Sequence, residues 1–177
     1  MNRSSYVFSD DSRLFGEVLS GLDGGGTFLE IGVGNGGNQR IVDEKFDLVV
    51  GTDILSLNET KHKNPNSELI VADRATCFRE SVFDVVAFNP PYVPSSGIVD
   101  ITVDGGQTGI EIPLQFLESA SKAVKKTGKI LMLLSSEDSI ELFHKFCKRN
   151  NLAFRKVNET KLFFEKLIVF ELRFQQE

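Results

Sequence analysis

Residues 28–37 read FLEIGVGNGG, and this segment determines how the rest of the chain is interpreted. Its apolar first half, together with Thr27, predicts a short buried strand that ends at Ile31. The four glycines that follow predict a tight turn, because glycine adopts backbone conformations that other residues avoid and lets a ligand approach closely. A helix that opens after such a turn presents free backbone N–H groups. The segment therefore predicts a strand, a glycine turn and a helix that face a ligand.

Short apolar runs alternate with amphipathic stretches on both sides of this segment, which is typical of an α/β protein with a mostly parallel sheet. Seven strands are predicted, at 27–31, 46–50, 67–72, 82–88, 129–134, 152–157 and 163–174, and helices at 10–20, 108–126 and 139–149. The last two strands are expected to pair as an antiparallel hairpin. The predicted fold is a Rossmann-like, doubly wound, seven-stranded and mostly parallel sheet with a final antiparallel strand and helices on both faces. Residues 1–177 are expected to form one domain.

The composition predicts a soluble cytoplasmic protein. Of the 177 residues, 41% are hydrophobic and 25% are charged. No apolar run reaches about 18 residues, the length that spans a membrane, and the N-terminus lacks the apolar core of a signal peptide. The cysteines Cys77 and Cys147 are therefore expected to be reduced, and with two histidines they predict no metal site.

The net charge of −5 argues against nucleic acid as a stable partner. Proteins that hold duplex DNA through many phosphates are usually basic, at least locally. Lysines and arginines do cluster near residues 122–129 and 145–149, but both clusters are interpreted as solvated helix ends.

Acidic residues occur at the predicted carboxyl ends of three strands: Glu30, Asp53 and Asp73. Ligands of doubly wound sheets bind at this edge. Asp53 is placed to hold ribose hydroxyls, and Asp73 to accept a hydrogen bond from an adenine amino group. Glu30 suits a ligand with an ammonium and a sulfonium group and would repel a pyrophosphate. The three acids together predict an adenosine that carries an amino-acid tail.

A fourth strand ends at Asn89-Pro90-Pro91-Tyr92. An amide or aryl amine nitrogen is a poor nucleophile because its lone pair is delocalised, so it must pyramidalise before it attacks a methyl group. The side-chain oxygen of Asn89 and the carbonyl of Pro90 are two acceptors that can hold its N–H bonds in that geometry. Prolines fix the turn, and Tyr92 offers a flat face to a planar amide or base.

These motifs as a set resemble the class I methyltransferases of the HemK/PrmC family, which methylate the glutamine amide in the Gly-Gly-Gln loop of peptide chain release factors. The set comprises Glu30 to Gly36, Asp53, Asp73 and residues 89–92, with weaker similarity at 6–12, 104–109 and 164–167. Phe8 and Asp10 replace a proline and a glutamate of the family pattern. The helical N-terminal domain of the bacterial members has no counterpart, so the chain resembles the short archaeal and eukaryotic branch.

The resemblance implies an enzyme, an S-adenosylmethionine-dependent N-methyltransferase with the class I methyltransferase fold, whose substrate is a release factor. It further implies a small zinc-binding activator protein as partner. Donor-binding roles would fall to Ser12, Glu30, Gly32, Gly34, Asp53, Asp73 and Asn89. Asn89, Pro90 and Tyr92 would hold the target amide.

Three other interpretations remain open from the sequence. An adenine methyltransferase on DNA or RNA shares both motifs, since adenine also presents a planar NH2 group, but it must flip its base and bind phosphates. A donor-binding subunit without catalysis predicts a damaged target motif, whereas residues 89–92 are intact. A nicotinamide dehydrogenase shares the G-x-G-x-x-G spacing of Gly32, Gly34 and Gly37 but leaves the Asn-Pro-Pro-Tyr turn unexplained.

Overall fold

The computed structural model describes residues 9–55, 65–95, 100–135 and 140–176. Within them lie four helices, α1 (Asp10–Ser20), α2 (Gly37–Val42), α3 (Glu111–Ala123) and α4 (Ile140–Arg149). The strands are β1 (Thr27–Ile31), β2 (Leu48–Asp53), β3 (Ser67–Val71), β4 (Phe83–Phe88), β5 (Val93–Pro94), β6 (Asp104–Gly106), β7 (Val124–Ser135), β8 (Leu152–Lys161) and β9 (Lys166–Phe174). The weak motif at 6–8 and the predicted helix start at Ser139 lie outside the described residues.

Seven of these strands form one sheet in the order β3-β2-β1-β4-β7-β9-β8. The pairs from β3 to β7 are parallel, whereas β9 pairs antiparallel with both β7 and β8. The predicted fold class is therefore confirmed, including the antiparallel hairpin at the end of the sheet. Because β1 lies between β2 and β4, the three turns that follow these strands meet at one edge of the sheet.

Each face of the sheet has its own hydrophobic core, as expected when helices cover both sides. On one face, Leu14, Phe15 and Leu19 of α1 pack with side chains that include Phe28 of β1. On the other face, the core contains Leu117 of α3 and Phe143 of α4. Neighbouring residues of β1 point alternately into the two cores, which fixes its register; each large side chain buried in this way stabilises the fold by about 1.5–3 kcal/mol.

The predicted helix at 108–126 is wrong at both ends. Helix α3 begins at Glu111, and Thr108 lies before it. The Glu111 carboxylate accepts the backbone N–H of Thr108 at 3.0 Å. After Ala123 the chain enters β7 instead of continuing as helix. Pairing with β4 is the reason: Val124 lies opposite Phe83, and Lys125 Nζ contacts an oxygen of Asp84 at 2.8 Å.

Smaller differences affect the strands. Strand β2 is displaced towards its carboxyl end relative to the predicted 46–50, so that it includes Asp53, and β9 begins at Lys166 where 163 was predicted. The segment after Tyr92 contains the short parallel pair of β5 and β6, which was not predicted from the sequence. Strand β5 follows the Asn-Pro-Pro-Tyr turn directly, and its pairing with β6 brings residues 104–106 next to that turn.

Gly51 in β2 generates a prediction about stability. A Cβ atom there would overlap the side chain of Val33 and lie 2.7 Å from both Gln39 Oε1 and Leu69 Cδ2, because the residues above the strand pack onto its bare backbone. We expect Gly51→Ala to lower the free energy of unfolding by about 1–3 kcal/mol, the usual cost of overpacking a core. Urea denaturation measures this change. Gly21→Ala is the control, since a Cβ there meets nothing nearer than 3.5 Å; equal stability of the two variants would contradict the packing argument.

Candidate functional site

A cavity of about 410 Å³ opens at the carboxyl edge of the parallel strands. Five of the residues predicted for a site from the sequence line it: Gly32, Gly34, Asp53, Asp73 and Asn89. These residues follow or end four different strands, β1 to β4, so the sheet order brings them together. The structure places Ser12, Glu30, Pro90 and Tyr92 outside the lining of this cavity.

The glycine turn forms one wall of the cavity. Gly32 and Gly34 have φ angles of 77° and 53°, in the left-handed region that favours glycine. The N–H groups of Gly32 and Val33 both donate to the carbonyl of Thr52, at 2.7 and 3.1 Å, which ties the turn to the end of β2. A backbone free of side chains therefore faces the cavity at a fixed position.

Asp53 is held rigidly at the end of β2. One carboxylate oxygen accepts the N–H of Gly34 at 2.9 Å, and the other accepts the N–H of Leu55 at 2.9 Å. Because each carboxylate oxygen can accept more than one hydrogen bond, both oxygens keep a free lone pair. The side chain is thus oriented by the protein and still able to bind two donor groups of a ligand.

Asp73 follows β3, the strand next to β2 in the sheet, and also lines the cavity. It forms an ion pair with Arg74 at 3.0 Å, and Arg74 also donates to Gln115 of α3 at 3.1 Å. The side chain of Asp73 is 49% exposed. Arg74 was not predicted from the sequence; its φ of 54° lies in the left-handed region, which few residues other than glycine adopt.

Apolar side chains complete the lining: Ile31, Ile54, Leu55, Pro91, Ile101, Ile112 and Phe116. Phe116 comes from α3, and a Cβ added at Gly32 would lie 3.5 Å from its ring. Phe116 was not predicted from the sequence, because a phenylalanine within a helix carries no local signal for a ligand site. A flat apolar slot beside fixed polar groups is the usual form of a small-molecule site.

Asn89 presents a free acceptor in the Asn-Pro-Pro-Tyr turn. Its side-chain Nδ2 donates to Asp11 of α1 at 2.9 Å. Its Oδ1 is buried and has no hydrogen-bond partner within the described part of the chain. Buried oxygens without a partner cost free energy, so they are rare unless a ligand supplies the missing donor. Asp11 belongs to the weaker motif at 6–12, but the sequence analysis gave it no role.

The other predicted residues are placed around this turn. The Ser12 hydroxyl accepts from Ser9 Oγ at 3.0 Å at the start of α1. Pro90 is buried, and Tyr92 packs partly buried against the core beneath α1. Gly105 of β6 lies against the Tyr92 backbone, since a Cβ there would come within 2.6 Å of Tyr92 Cα. The proposed roles of these residues therefore stay predictions.

Glu30 lies in the core behind the glycine turn, with 1% of its surface exposed. Burial raises the pKa of its carboxyl from the ordinary 4.5 to about 8; a hydrogen bond with Asn38 opposes this, and the nearby charges of Asp53 and Asp43 add to it. Its Oε2 has no partner among the described residues. At neutral pH Glu30 is therefore largely protonated as long as no cation lies close to it.

No cluster of histidine, cysteine, aspartate and glutamate suited to a metal ion occurs in the parts of the chain that the structure describes. Within the same residues, none of the helices has the length and apolar character needed to cross a bilayer.

The raised pKa of Glu30 predicts how stability depends on pH. Below pH 4.5 the Glu30 carboxyl is protonated in both the folded and the unfolded protein. Between pH 4.5 and about 8 it ionises only in the unfolded protein, so the free energy of unfolding falls as the pH rises. We expect Glu30→Gln to remove a decline on the order of a few kcal/mol over this range. Urea denaturation at several pH values measures the slope, with the exposed Glu44→Gln as control. The same slope in Glu30→Gln and wild type would disprove the assignment.

Known proteins resemble this chain in part of its sequence and in its fold. No family model matches the chain. A curated relative, a putative protein N5-glutamine methyltransferase of Methanocaldococcus jannaschii, is 34% identical over 61% of this chain. The match covers 61% of the length of that relative.

Solved structures show the same fold. Mtq2 of E. cuniculi, from the Mtq2-Trm112 complex responsible for methylation of the translation termination factor eRF1, superposes with a TM-score of 0.80 at 22% identity, over 94% of this chain and 96% of that one. A putative methyltransferase of Streptococcus mutans in complex with SAH has a TM-score of 0.63 at 17% identity, over 93% and 98%. The fold expected from the motifs is confirmed: the chain has the class I methyltransferase fold, and in sequence it is similar to a putative protein N5-glutamine methyltransferase.

Proposed function

We propose that this chain transfers a methyl group from S-adenosylmethionine to the side-chain amide nitrogen of a glutamine, the one in the Gly-Gly-Gln motif of a peptide chain release factor. The observation that carries the proposal is the buried Oδ1 of Asn89, which has no partner in the described part of the chain and lies beside a cavity that Asp53, Asp73 and the glycine turn also line. The similarity to a putative glutamine methyltransferase and to Mtq2 supports the choice of substrate.

The donor fits the polar groups of the cavity. The two lone pairs that Asp53 keeps free match the two hydroxyls of a ribose, and such charge-assisted hydrogen bonds are strong. Adenine would lie between the apolar side chains near Ile54 and Phe116, with Asp73 at its amino group. The amino-acid tail would reach the glycine turn and α1, where Ser12 lies. A sulfonium near Glu30 would favour the ionised carboxylate and lower its pKa.

The reaction needs alignment more than it needs a base. Asn89 Oδ1 would accept one N–H of the target amide and the Pro90 carbonyl the other, which turns the nitrogen lone pair towards the methyl group. The methyl group then passes from sulfur to nitrogen, the electron pair of the broken bond stays on sulfur, and the methylated nitrogen loses its proton to water. Positioning of the two reactants supplies the rate enhancement.

The surroundings of the cavity favour a polypeptide over a nucleic acid. Apolar side chains are exposed around it, among them Ile54 (59%) and Ile101 (59%), and its lining contains three aspartates and one arginine, Asp53, Asp73, Asp104 and Arg74. Phosphates bind to clusters of lysine and arginine, which this lining lacks. Adenine methylation is therefore the less favoured alternative, and the experiment below tests it directly.

A small zinc-binding activator is proposed as partner, by similarity to the Mtq2-Trm112 complex. Strand β3 lies at one edge of the seven-stranded sheet, and its Ile70 and Val71 are 36% and 62% exposed. An exposed apolar edge strand is a surface to which another chain can add. We also propose that the protein acts in the cytoplasm, where release factors work.

The first prediction concerns Asn89. We expect Asn89→Ala to bind S-adenosylmethionine but to lose methyl transfer by at least about 100-fold, the usual effect of deleting one fixed hydrogen-bonding group from a transition state. The measurement is transfer of labelled methyl to a release factor, with unmethylated DNA and RNA in parallel, each with and without a candidate activator. Asn158→Ala is the control, because Asn158 lies on β8, at the far edge of the sheet.

Label on the Gly-Gly-Gln glutamine that disappears in Asn89→Ala supports the proposal. Label on nucleic acid alone would keep the donor site and replace the substrate, whereas wild-type rates in Asn89→Ala would remove the proposed role of Asn89.

The second prediction concerns Asp53. We expect Asp53→Ala to weaken S-adenosylmethionine binding by about 10- to 100-fold, because it deletes two charge-assisted hydrogen bonds to the ribose. Isothermal titration calorimetry measures the dissociation constant. Asp53→Asn keeps an acceptor for one backbone N–H and should lose less, and Asp23→Ala at an exposed position is the control. An unchanged dissociation constant in Asp53→Ala would exclude this role.

A further inference from the structure

The side chain of Asn89 can act in the proposed reaction in only one of its two orientations. A carboxamide has an oxygen that accepts and a nitrogen that donates, and a rotation of 180° about its last bond exchanges them with little change of shape. Only the orientation that presents the oxygen can accept an N–H from a target amide. The protein must therefore specify which end of the Asn89 carboxamide faces the site.

Asp11 supplies that specification. Asn89 Nδ2 lies 2.9 Å from Asp11 Oδ2, and an ionised carboxylate can only accept hydrogen bonds. The opposite orientation of Asn89 would place two oxygens in contact and leave the amide nitrogen buried without an acceptor. In the observed orientation, Oδ1, the atom that the reaction needs, is buried and has no hydrogen-bond partner among the residues that the structure describes.

Asp11 is itself held in place. Its other oxygen, Oδ1, accepts the backbone N–H of Ser12 at 2.8 Å in the first turn of α1. Helix α1 is anchored by Leu14, Phe15 and Leu19 in the core, so the carboxylate projects from a rigid support. A carboxylate on one side of an amide also polarises it, which makes the oxygen on the far side a stronger acceptor.

We propose that Asp11 is a positioning residue that fixes the Asn89 carboxamide with its oxygen towards the target nitrogen. Asp11 touches neither donor nor target in this proposal and acts through Asn89 alone. The proposal rests on the function proposed above for its effect on rate, whereas the orientation of Asn89 can be tested without any substrate.

The test without substrate uses the side-chain amide resonances of Asn89 in 15N-labelled protein, assigned by their loss in Asn89→Ala. A hydrogen bond to a carboxylate moves one of the two Nδ2 protons downfield from the other. We expect this separation in wild type, its loss in Asp11→Ala and its retention in Asp10→Ala. Asp10 is the matched control, because it lies in the same helical turn and contacts Arg13 at 2.8 Å, away from Asn89.

The test with substrate separates positioning from binding. We expect Asp11→Ala to lower kcat by about 10- to 100-fold, the range for a misplaced reacting group, with an unchanged dissociation constant for S-adenosylmethionine. Asp11→Asn, which can still offer an oxygen to Asn89 Nδ2, should recover most of the lost rate. Asp10→Ala should behave as wild type.

The outcomes distinguish this proposal from the function it rests on. Wild-type protein that transfers no methyl to a release factor would refute the proposed function, and the resonances of Asn89 would then decide the role of Asp11 alone. Resonances of Asn89 that are the same in wild type and Asp11→Ala would overturn the positioning role, as would a loss of activity in Asp11→Ala that is entirely a loss of donor binding.

Discussion

The pairing of β1 with β2 on one side and β4 on the other is the constraint on which the site depends. Glu30 pairs with Gly51 and with Ala87, so the three strands end almost level with one another. The glycine turn, Asp53 and Asn89 are therefore adjacent in space although they are far apart in the chain. Hydrogen bonds from the glycine turn to the carbonyl of Thr52 then fix the position of the turn relative to the end of β2. A shift of one residue in either pairing would separate these groups and turn core side chains outwards.

Residues at strand ends could be predicted from the sequence because two local signals coincide there. Asp53 and Asn89 each follow an apolar run, and parallel strands bring such positions to one edge. The second half of the site could not be predicted in this way. Asp11 reaches Asn89 across 78 residues, through the packing of α1 on the sheet, and no local pattern encodes that contact. Phe116 and Arg74 likewise depend on how α3 packs against β4 and β7, which brings Gln115 of that helix to Arg74.

Sheet pairing, rather than local helix propensity, determines the structure of residues 124–128. The segment from Val124 to Gly128 has the lysines and the glycine typical of a helix end, yet it forms the beginning of β7. Gly128 explains part of this, since a Cβ there would come within 2.7 Å of the Asp84 carbonyl, a separation that only close strand packing produces. The ion pair of Lys125 with Asp84 then uses the lysine that a helix end would have exposed.

The position of β9 has a consequence for how the chain is synthesised. In β7 every residue from Ile130 to Ser135 is buried, and β9, which comes last in the chain, supplies its second neighbour in the sheet. Until β9 has been synthesised, the apolar second half of β7 has an open edge, to which other nascent chains can pair. Pairing with β9 closes that edge, so solubility during synthesis is a requirement distinct from the stability of the folded protein.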